Sequence, residues 1–483
     1  MNLAPDAQSS AGKHTLAAAL SVPVVAVVAA VVYSVFSVHR HQRFGSGSWD
    51  HGCYLHNAWL FAHGKAFSTT AVSSVLNDAA FWGGTNHFMP SLIFTAPLAW
   101  IMEASSSTSL LLVAQALVVC AAVLPLAAIA RARGLPTSTT TALCVVFVFH
   151  MGTQAALMFD VHEIAPVPLL LFTVLWIVET KNRSRSVVVV VVVLLLVLGG
   201  CKESALAYAG AVGALLVFRK GWRDVGAVML AFFLFAFFFV LGVVQPAFLE
   251  EGSLGMIHVA RFSGAASPFA STDVKLTTIA VSAAGFGFLS VFSGEAVLLA
   301  LPNLAERFVA DKREMWGLGF HYGLVGAAYL AWGALCTLAR LRQRWPGPRF
   351  DGFATVFLLV SMSVSFAVSP SAPDLATFDK PYYANDSEVA RYQRALAHVD
   401  DDDAVVAQNH FLPHVALREH IWLPEQRFVE RADVVVLDTA ASPWPHNAKH
   451  VARLVSGLTK DPTRFEVVFH EDTTWVFRRR PST

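Results

Sequence analysis

The sequence predicts a polytopic α-helical membrane protein of about eleven transmembrane helices followed by a small C-terminal α/β domain. Three observations predict this class. Of 483 residues, 55% are hydrophobic and 14% charged, where a soluble globular chain carries about a quarter charged. Mean hydropathy is +0.54. Long apolar runs such as Val187–Leu198 and Ala231–Val244 recur up to residue 368, and the charges gather in the short segments between them. An ordinary cytosolic enzyme is excluded, as is a disordered chain, which cannot keep this much apolar surface solvated. The net charge of +1 offers nucleic acid no basic surface. Cys53, Cys120, Cys144, Cys201 and Cys336 form no CxxC pair and no zinc spacing, and read mainly as small residues of apolar runs.

A helix crosses a bilayer with roughly 17–25 mostly apolar residues. In order, the predicted spans are Leu16–Val38, Ser109–Ala130, Pro136–Met158, Ala165–Val178, Ser186–Gly199, Ala205–Phe218, Val225–Val244, Lys275–Val291, Glu295–Phe308, Tyr322–Ala339 and Gly352–Val368. The first run is too long for a signal-peptide core and is taken as a retained helix. Met89–Met102 is apolar but short and broken by Pro90 and Pro97, which suits a re-entrant or interfacial segment (residues 89–102). Four basic clusters fix orientation: Arg131/Arg133, Lys181/Arg183/Arg185, Arg219/Lys220/Arg223 and Arg340/Arg342/Arg344/Arg349. With all four and the N-terminus on the cytoplasmic side, eleven spans alternate consistently and the tail ends outside. The expected location is a bacterial-type inner membrane.

Residues 1–369 then form the membrane domain, with a large first outer loop at 39–88. Loops of that length without an evident packing role are usually functional. A Pro/Ser/Asp linker at 370–386 leads to the domain at 387–483. Its strand-like runs are Ala404–Ala407, Val434–Leu437, Phe465–Phe469 and Trp475–Phe477. Helical patterns lie at Ser387–His398 and Ala448–Leu458.

Basic residues at the cytoplasmic ends need only the topology rule to explain them; the opposite ends are more informative. There the sequence places Asp50, His51, His56, His63, Asn86 and His87 in the first loop, then Asp160, His162 and Glu163. Lys202–Glu203, Asn303, Glu306 and His321–Tyr322 follow at later turns. Short outer turns hold such groups at the bilayer boundary, where desolvation is costly unless they are paired or functional. Each has a structural alternative: Asp160–Glu163 as a polar hairpin turn, Lys202–Glu203 as a self-satisfied ion pair, Tyr322 as an aromatic-belt residue. Taken jointly, they suggest one outward cavity roofed by the first loop and the tail. A carboxylate there can deprotonate a hydroxyl acceptor, and His, Lys or a divalent cation can neutralise a phosphate leaving group. A transferase using a lipid-phosphate sugar needs that combination. Transport would place ionisable residues near the midplane and favour inverted repeats, and the sequence shows neither.

These residues also carry a resemblance. Trp49-Asp50-His51-Gly52-Cys53-Tyr54, Trp59-x-Phe61-Ala62-His63-Gly64, Asn86-His87-Phe88-x-Pro90, Phe159-Asp160-x-His162-Glu163, Cys201-Lys202-Glu203, Leu301-Pro302-Asn303, His321-Tyr322 and Asn409-His410-Phe411-Leu412-Pro413-His414 together resemble the DUF2079 family of predicted membrane proteins, in its order. That family is similar to the GT-C glycosyltransferases, polytopic enzymes that use polyprenyl-phosphate sugars. The resemblance implies a GT-C-like membrane domain in which Asp50 is the catalytic base or a metal ligand. The chain departs from the pattern at Asn86, where an acid is expected, at Ser204, where another is, and at His56, in place of Gln.

The expectation is an inverting membrane glycosyltransferase moving a sugar from a polyprenyl-phosphate donor to an envelope glycan, lipid or protein acceptor. Asp50 is the candidate base. His56, Asn86, His87, Asp160, His162, Glu163, Lys202, Glu203, His321 and Tyr322 are the candidate substrate contacts, with Lys202 set to pair with the donor phosphate. A divalent cation is the one cofactor this chemistry admits, its ligands unassigned. The alternatives are a non-catalytic envelope scaffold or receptor and, third, a transporter.

Overall fold

A computed structural model describes residues 5–65, 87–248, 270–310, 313–369 and 386–481, with side chains from residue 21 onward. The predicted contact Asn86 and residues 370–385 of the linker lie outside the described residues. Five helices are long and apolar enough to cross a membrane: Ser21–Gln42, Leu110–Ala132, Arg223–Val244, His321–Arg344 and Pro348–Val368. A bent helix pair, Thr137–Phe149 with Met151–Leu157, makes six if it is counted as one span.

The chain enters through α1 (Pro5–Gln42) and reaches α2 (Cys53–Ala62) by a single π-helical turn, Ser48–Gly52. The segment expected along the membrane surface is a 3₁₀ helix, Pro90–Thr95, running into α3 (Ala96–Ser105). Next come α4 (Leu110–Ala121) and α5 (Val123–Ala132), which make one span. The bent pair is α6 (Thr137–Phe149) and α7 (Met151–Leu157), at 48° to each other. The bend has a local cause: His150 between them takes extended dihedrals, and its imidazole accepts from the Gly152 amide as a fresh N-cap.

Three shorter apolar helices follow, α8 (Val167–Thr180), α9 (Arg185–Gly199) and α10 (Glu203–Val217), then α11 (Arg223–Phe239). Around α10 and α11 small residues set the distance, since a Cβ on Gly213 would stand 2.7 Å from the Leu230 amide nitrogen. The run expected as one span from Lys275 to Val291 is broken. The helix α12 (Thr272–Gly285) stops where Gly287 and Phe288 turn left-handed, and a 3₁₀ turn at Leu289–Phe292 precedes α13 (Gly294–Val309). Last come α14 (Leu324–Arg344) and α15 (Pro348–Val368).

The bundle core centres on α14, whose Tyr329 and Trp332 are fully buried. By contrast α11 presents Val228, Phe235 and Phe238, and α15 presents Phe353, Val356 and Val360, outside the protein. An apolar helix that buries little of itself in protein needs an apolar solvent.

In the tail domain α16 (Ser387–Leu396) and α17 (Ala448–Thr459) start on caps, Asp386 accepting from the Val389 amide and Asn447 from that of His450. Five strands, β1 (Val405–Ala407), β2 (Ile421–Trp422), β3 (Val434–Asp438), β4 (Phe465–Glu471) and β5 (Thr474–Arg479), lie in the order β2-β1-β3-β5-β4. The pairs β1–β2 and β1–β3 are parallel, and β5 is antiparallel to β3 and β4.

Period-two alternation splits the sheet between two cores. Val406, Val435 and Leu437 pack with Val451, Leu454 and Leu458 of α17. Val405, Ala407, Val434 and Val436 belong instead to a cluster that includes Phe44, Tyr54, Leu55 and Met89. The tail is thus seated on the first loop by a shared apolar core, with Phe44 against the rings of Tyr392, Phe411 and His414.

Candidate functional site

The polar residues gather where α1, α7, α9 and the turn before α14 end. Asp50 sits on the Ser48–Gly52 turn, which is held from two sides. The Gly47 amide donates to Asp160 Oδ2 at 2.8 Å, and the Ser48 amide and hydroxyl donate to Asn409 Oδ1 of the tail at 2.8 and 2.6 Å. With its neighbours so fixed, the Asp50 carboxylate stays about one-third exposed, its Oδ1 3.2 Å from Nε2 of the buried His162. The contact is an ion pair whose angle falls short of a hydrogen bond.

His162 is positioned by its own turn. Gln115 of α4 accepts from the His162 amide at 2.8 Å and donates to the Asp160 carbonyl at 3.2 Å. The imidazole Nδ1 lies 3.0 Å from that same carbonyl, and the ring stacks on His321 with centroids 3.4 Å apart. His321 arrives there because α7 and the turn before α14 touch backbone to backbone, a Cβ on Gly152 falling 2.4 Å from the Gly323 oxygen. An imidazole facing an acceptor at each nitrogen is stabilised as the imidazolium. Burial is the largest influence and opposes charging, but the Asp50 carboxylate, Glu163 and the Asp160 carbonyl together outweigh it, and His162 is raised above its ordinary value.

The remaining carboxylates are individually neutralised. Asp160 is paired with Arg40 of α1. Glu163 takes Lys202 at 2.9 Å and the Tyr54 hydroxyl. Burial disfavours its charge, yet Lys202 and the nearby imidazoles hold the Glu163 carboxyl well below the carboxylate range, and Lys202 is correspondingly raised. Glu203 accepts from the Phe88 amide at 3.1 Å and lies 2.7 Å from His87 Nδ1. In place of the adjacent Lys202–Glu203 ion pair, the structural alternative for these residues, there are two longer-range pairs. Facing opposite ways across the start of α10, the two side chains tie it to the α7–α8 turn and to the first loop.

Seen from the sequence, Asp50, His162 and His321 come together, with Glu163 and Lys202 beside them and His87 with Glu203 next. Tyr322 adjoins His321 at 4.0 Å between centroids. His56 is elsewhere, buried in α2 with Nδ1 3.3 Å from the Ala416 carbonyl of the tail. Arg40, Tyr54 and Gln115 were missed. Arg40 had a signal, being a cation at the end of the first span that the charge pattern assigns to the outside, against the positive-inside bias. Tyr54 and Gln115 had none, since each gains its role only through a partner 109 and 47 residues away.

Behind His162 and Glu163 an apolar cavity of about 310 Å³ opens between helices, walled by Leu98, Leu111, Val118, Leu169 and Leu170. The site thus joins an exposed carboxylate to a lipid-like groove through one imidazole. A divalent cation does not fit this arrangement. Among the described residues no three His, Cys, Asp or Glu groups are gathered as ligands, and the carboxylates around Asp50 are each taken by a cation or an N–H donor.

No curated protein matches the chain. The family of predicted membrane proteins DUF2079 matches residues 40–472, nearly the whole length, and the chain belongs to that family.

Proposed function

We propose that the protein is a membrane glycosyltransferase that moves a sugar from a polyprenyl-phosphate donor to a cell-envelope acceptor. The observation that carries this reading is the Asp50–His162 pair at the mouth of the apolar groove. The groove takes the first part of the isoprenoid chain, which puts the donor phosphate beside His162. An acceptor hydroxyl attacks the anomeric carbon and gives its proton to Asp50. The bond from that carbon to the phosphate oxygen breaks, and the phosphate leaves with the electron pair. Charge develops on that oxygen, where the imidazolium, with Lys202 behind it, opposes it. The attack and departure on opposite faces make the transfer inverting.

The proposal includes eleven crossings in a bacterial-type inner membrane with the tail outside. In support, α8, α9 and α10 each carry basic residues at one end (Lys181, Arg185, Arg219) and site residues at the other (Glu163, Lys202, Glu203).

The test is transfer of radiolabelled sugar from polyprenyl-phosphate donors by membranes containing wild type or Asp50→Asn. Wild type transfers, and Asp50→Asn loses at least a hundredfold at equal expression. Undiminished transfer by the variant removes Asp50 from the mechanism. One observation favours a second reading, a non-catalytic scaffold: Asp160, Glu163 and Glu203 are all engaged in structural pairs. On that reading the purified protein retains no lipid-phosphate sugar.

A further inference from the structure

The end of the bundle opposite the Asp50 site holds a second cavity, of about 480 Å³, where α5, α8, α10 and α14 terminate and α13 begins. The helix α10 separates the two ends by about 22 Å (15 residues at 1.5 Å). The cavity is lined by four cations, Arg133, Arg219, Lys220 and Arg340, against two carboxylates, Glu179 and Glu295.

The two carboxylates are already spent. Glu179 is paired with Arg133 and lies 3.3 Å from Arg219, and Arg219 reaches Glu295 at 2.7 Å. Glu295 also accepts from the Trp332 indole at 3.1 Å. That network consumes Arg133 and Arg219 and leaves Lys220 and Arg340 as excess charge. Both are exposed, and neither meets a carboxylate among the described residues; Arg340 donates only to the Phe292 carbonyl and the Thr337 hydroxyl. Against the same wall α13 begins, its first backbone N–H groups adding partial positive charge.

A polar cavity at helix ends with two cations that meet no carboxylate offers an anion a place to bind. The geometry points to a binding site for a phosphate group, held by Lys220 and Arg340 and backed by Arg219 and the α13 N-terminus. Such cavities between membrane helices suit phospholipid head groups, and a free phosphate or phosphate ester offers the same oxygens. The site is separate from the transfer chemistry and stands whether or not that reading holds.

The test uses the full-length protein in neutral detergent, titrated with phosphatidylglycerol, with phosphatidylcholine and with inorganic phosphate, bound probe being counted by native mass spectrometry or radiolabel. Wild type retains phosphatidylglycerol at least tenfold better than phosphatidylcholine. Lys220→Ala with Arg340→Ala removes that preference, and Lys220→Arg with Arg340→Lys keeps it. Both side chains are on the surface, so the variants fold; unchanged thermal unfolding verifies this. Displacement of phosphatidylglycerol by inorganic phosphate that also binds alone identifies a free phosphate as occupant. Resistance to displacement identifies the lipid. Equal retention of both lipids with no phosphate bound, or an alanine pair that binds as wild type does, overturns the site.

Discussion

The two ends of the bundle solve the problem of interfacial charge differently. At the Asp50 end, each carboxylate meets its own basic partner across a long stretch of chain, a histidine in two cases and Lys or Arg in two: Asp50 with His162, Glu203 with His87, Glu163 with Lys202 and Asp160 with Arg40. At the other end, arginines share carboxylates in a chain, Arg133–Glu179–Arg219–Glu295, and cations remain in surplus. Guanidinium charge is fixed at any biological pH, whereas imidazole charge is not. One end therefore holds its charge permanently, while the other adds to fixed pairs two imidazole pairs whose charge can change.

Acid should break this comparison most visibly. His51, His56 and His410 are buried where the first loop meets the tail, and burial pulls them down to about 3, about 4 and about 4. Arg40 adds to the effect at His51, while carbonyls partly oppose it at His51 and His56. Neutral in the folded protein, they bind protons near 6.5 once exposed. The stability they support is full above 6.5, declines as pH falls, and is gone below about 3, a loss on the order of several kcal/mol in total. Hydrogen exchange between pH 7 and 4.5 should show the tail and α2 opening first, with the Arg133–Glu295 end still protected. Equal protection at both ends refutes this.

Removing one member of a buried pair comes next. Lys202→Met leaves the Glu163 carboxylate buried with only the Tyr54 hydroxyl, at a cost of about 3–5 kcal/mol. Lys220→Ala, at the surface of the other end, should change stability by less than about 0.5 kcal/mol. Thermal unfolding in detergent checks both. Adding Glu163→Gln to Lys202→Met should recover most of the loss; a strictly additive double variant shows that the two do not act as a pair.

Asp50→Asn sharpens the comparison further. His162 is raised in the folded state, so the stability from its charged form is full below about 6.5 and is lost as pH rises through the raised value. Without the carboxylate, burial is opposed only by Glu163 and the Asp160 carbonyl, and the imidazole titrates lower than in wild type. Histidine NMR of labelled protein should follow one resonance moving down in the variant. A His162 titration identical in both proteins denies the coupling.

Much of this was legible in sequence because it is local. Apolar length gave the long spans, short strand-like runs gave β1, β3, β4 and β5, and the helical patterns from Ser387 and Ala448 match α16 and α17. What failed was also physical. The two-residue strand β2 and the turn Gln426–Val429 are too short to show a period. The break after Gly285 depends on left-handed backbone inside an apolar run, where hydropathy is blind. At the site, sequence supplied the participants but not the pairing of Lys202 with Glu163, since adjacency along the chain says nothing of partners across it. His56 read as a contact because it follows the Asp50 motif in the first loop, yet α2 turns it to the tail.

The smallest expected effect concerns that tail. Asn409 Oδ1 accepts both Ser48 donors, and Ser48 begins the turn that carries Asp50. Asn409→Ala removes two hydrogen bonds worth about 1 kcal/mol each at most, a modest change in overall unfolding. Its consequence at the site is geometric, because the turn then rests on Asp160 and on the packing of Gly52 against Leu412. Asn409→Asp keeps the accepting oxygen and should restore the wild-type turn, whereas Asn409→Ala should not. Distances between spin labels on the turn and on the tail separate these cases. An alanine variant whose turn is as narrowly distributed as wild type shows that the tail covers the Asp50 turn without positioning it.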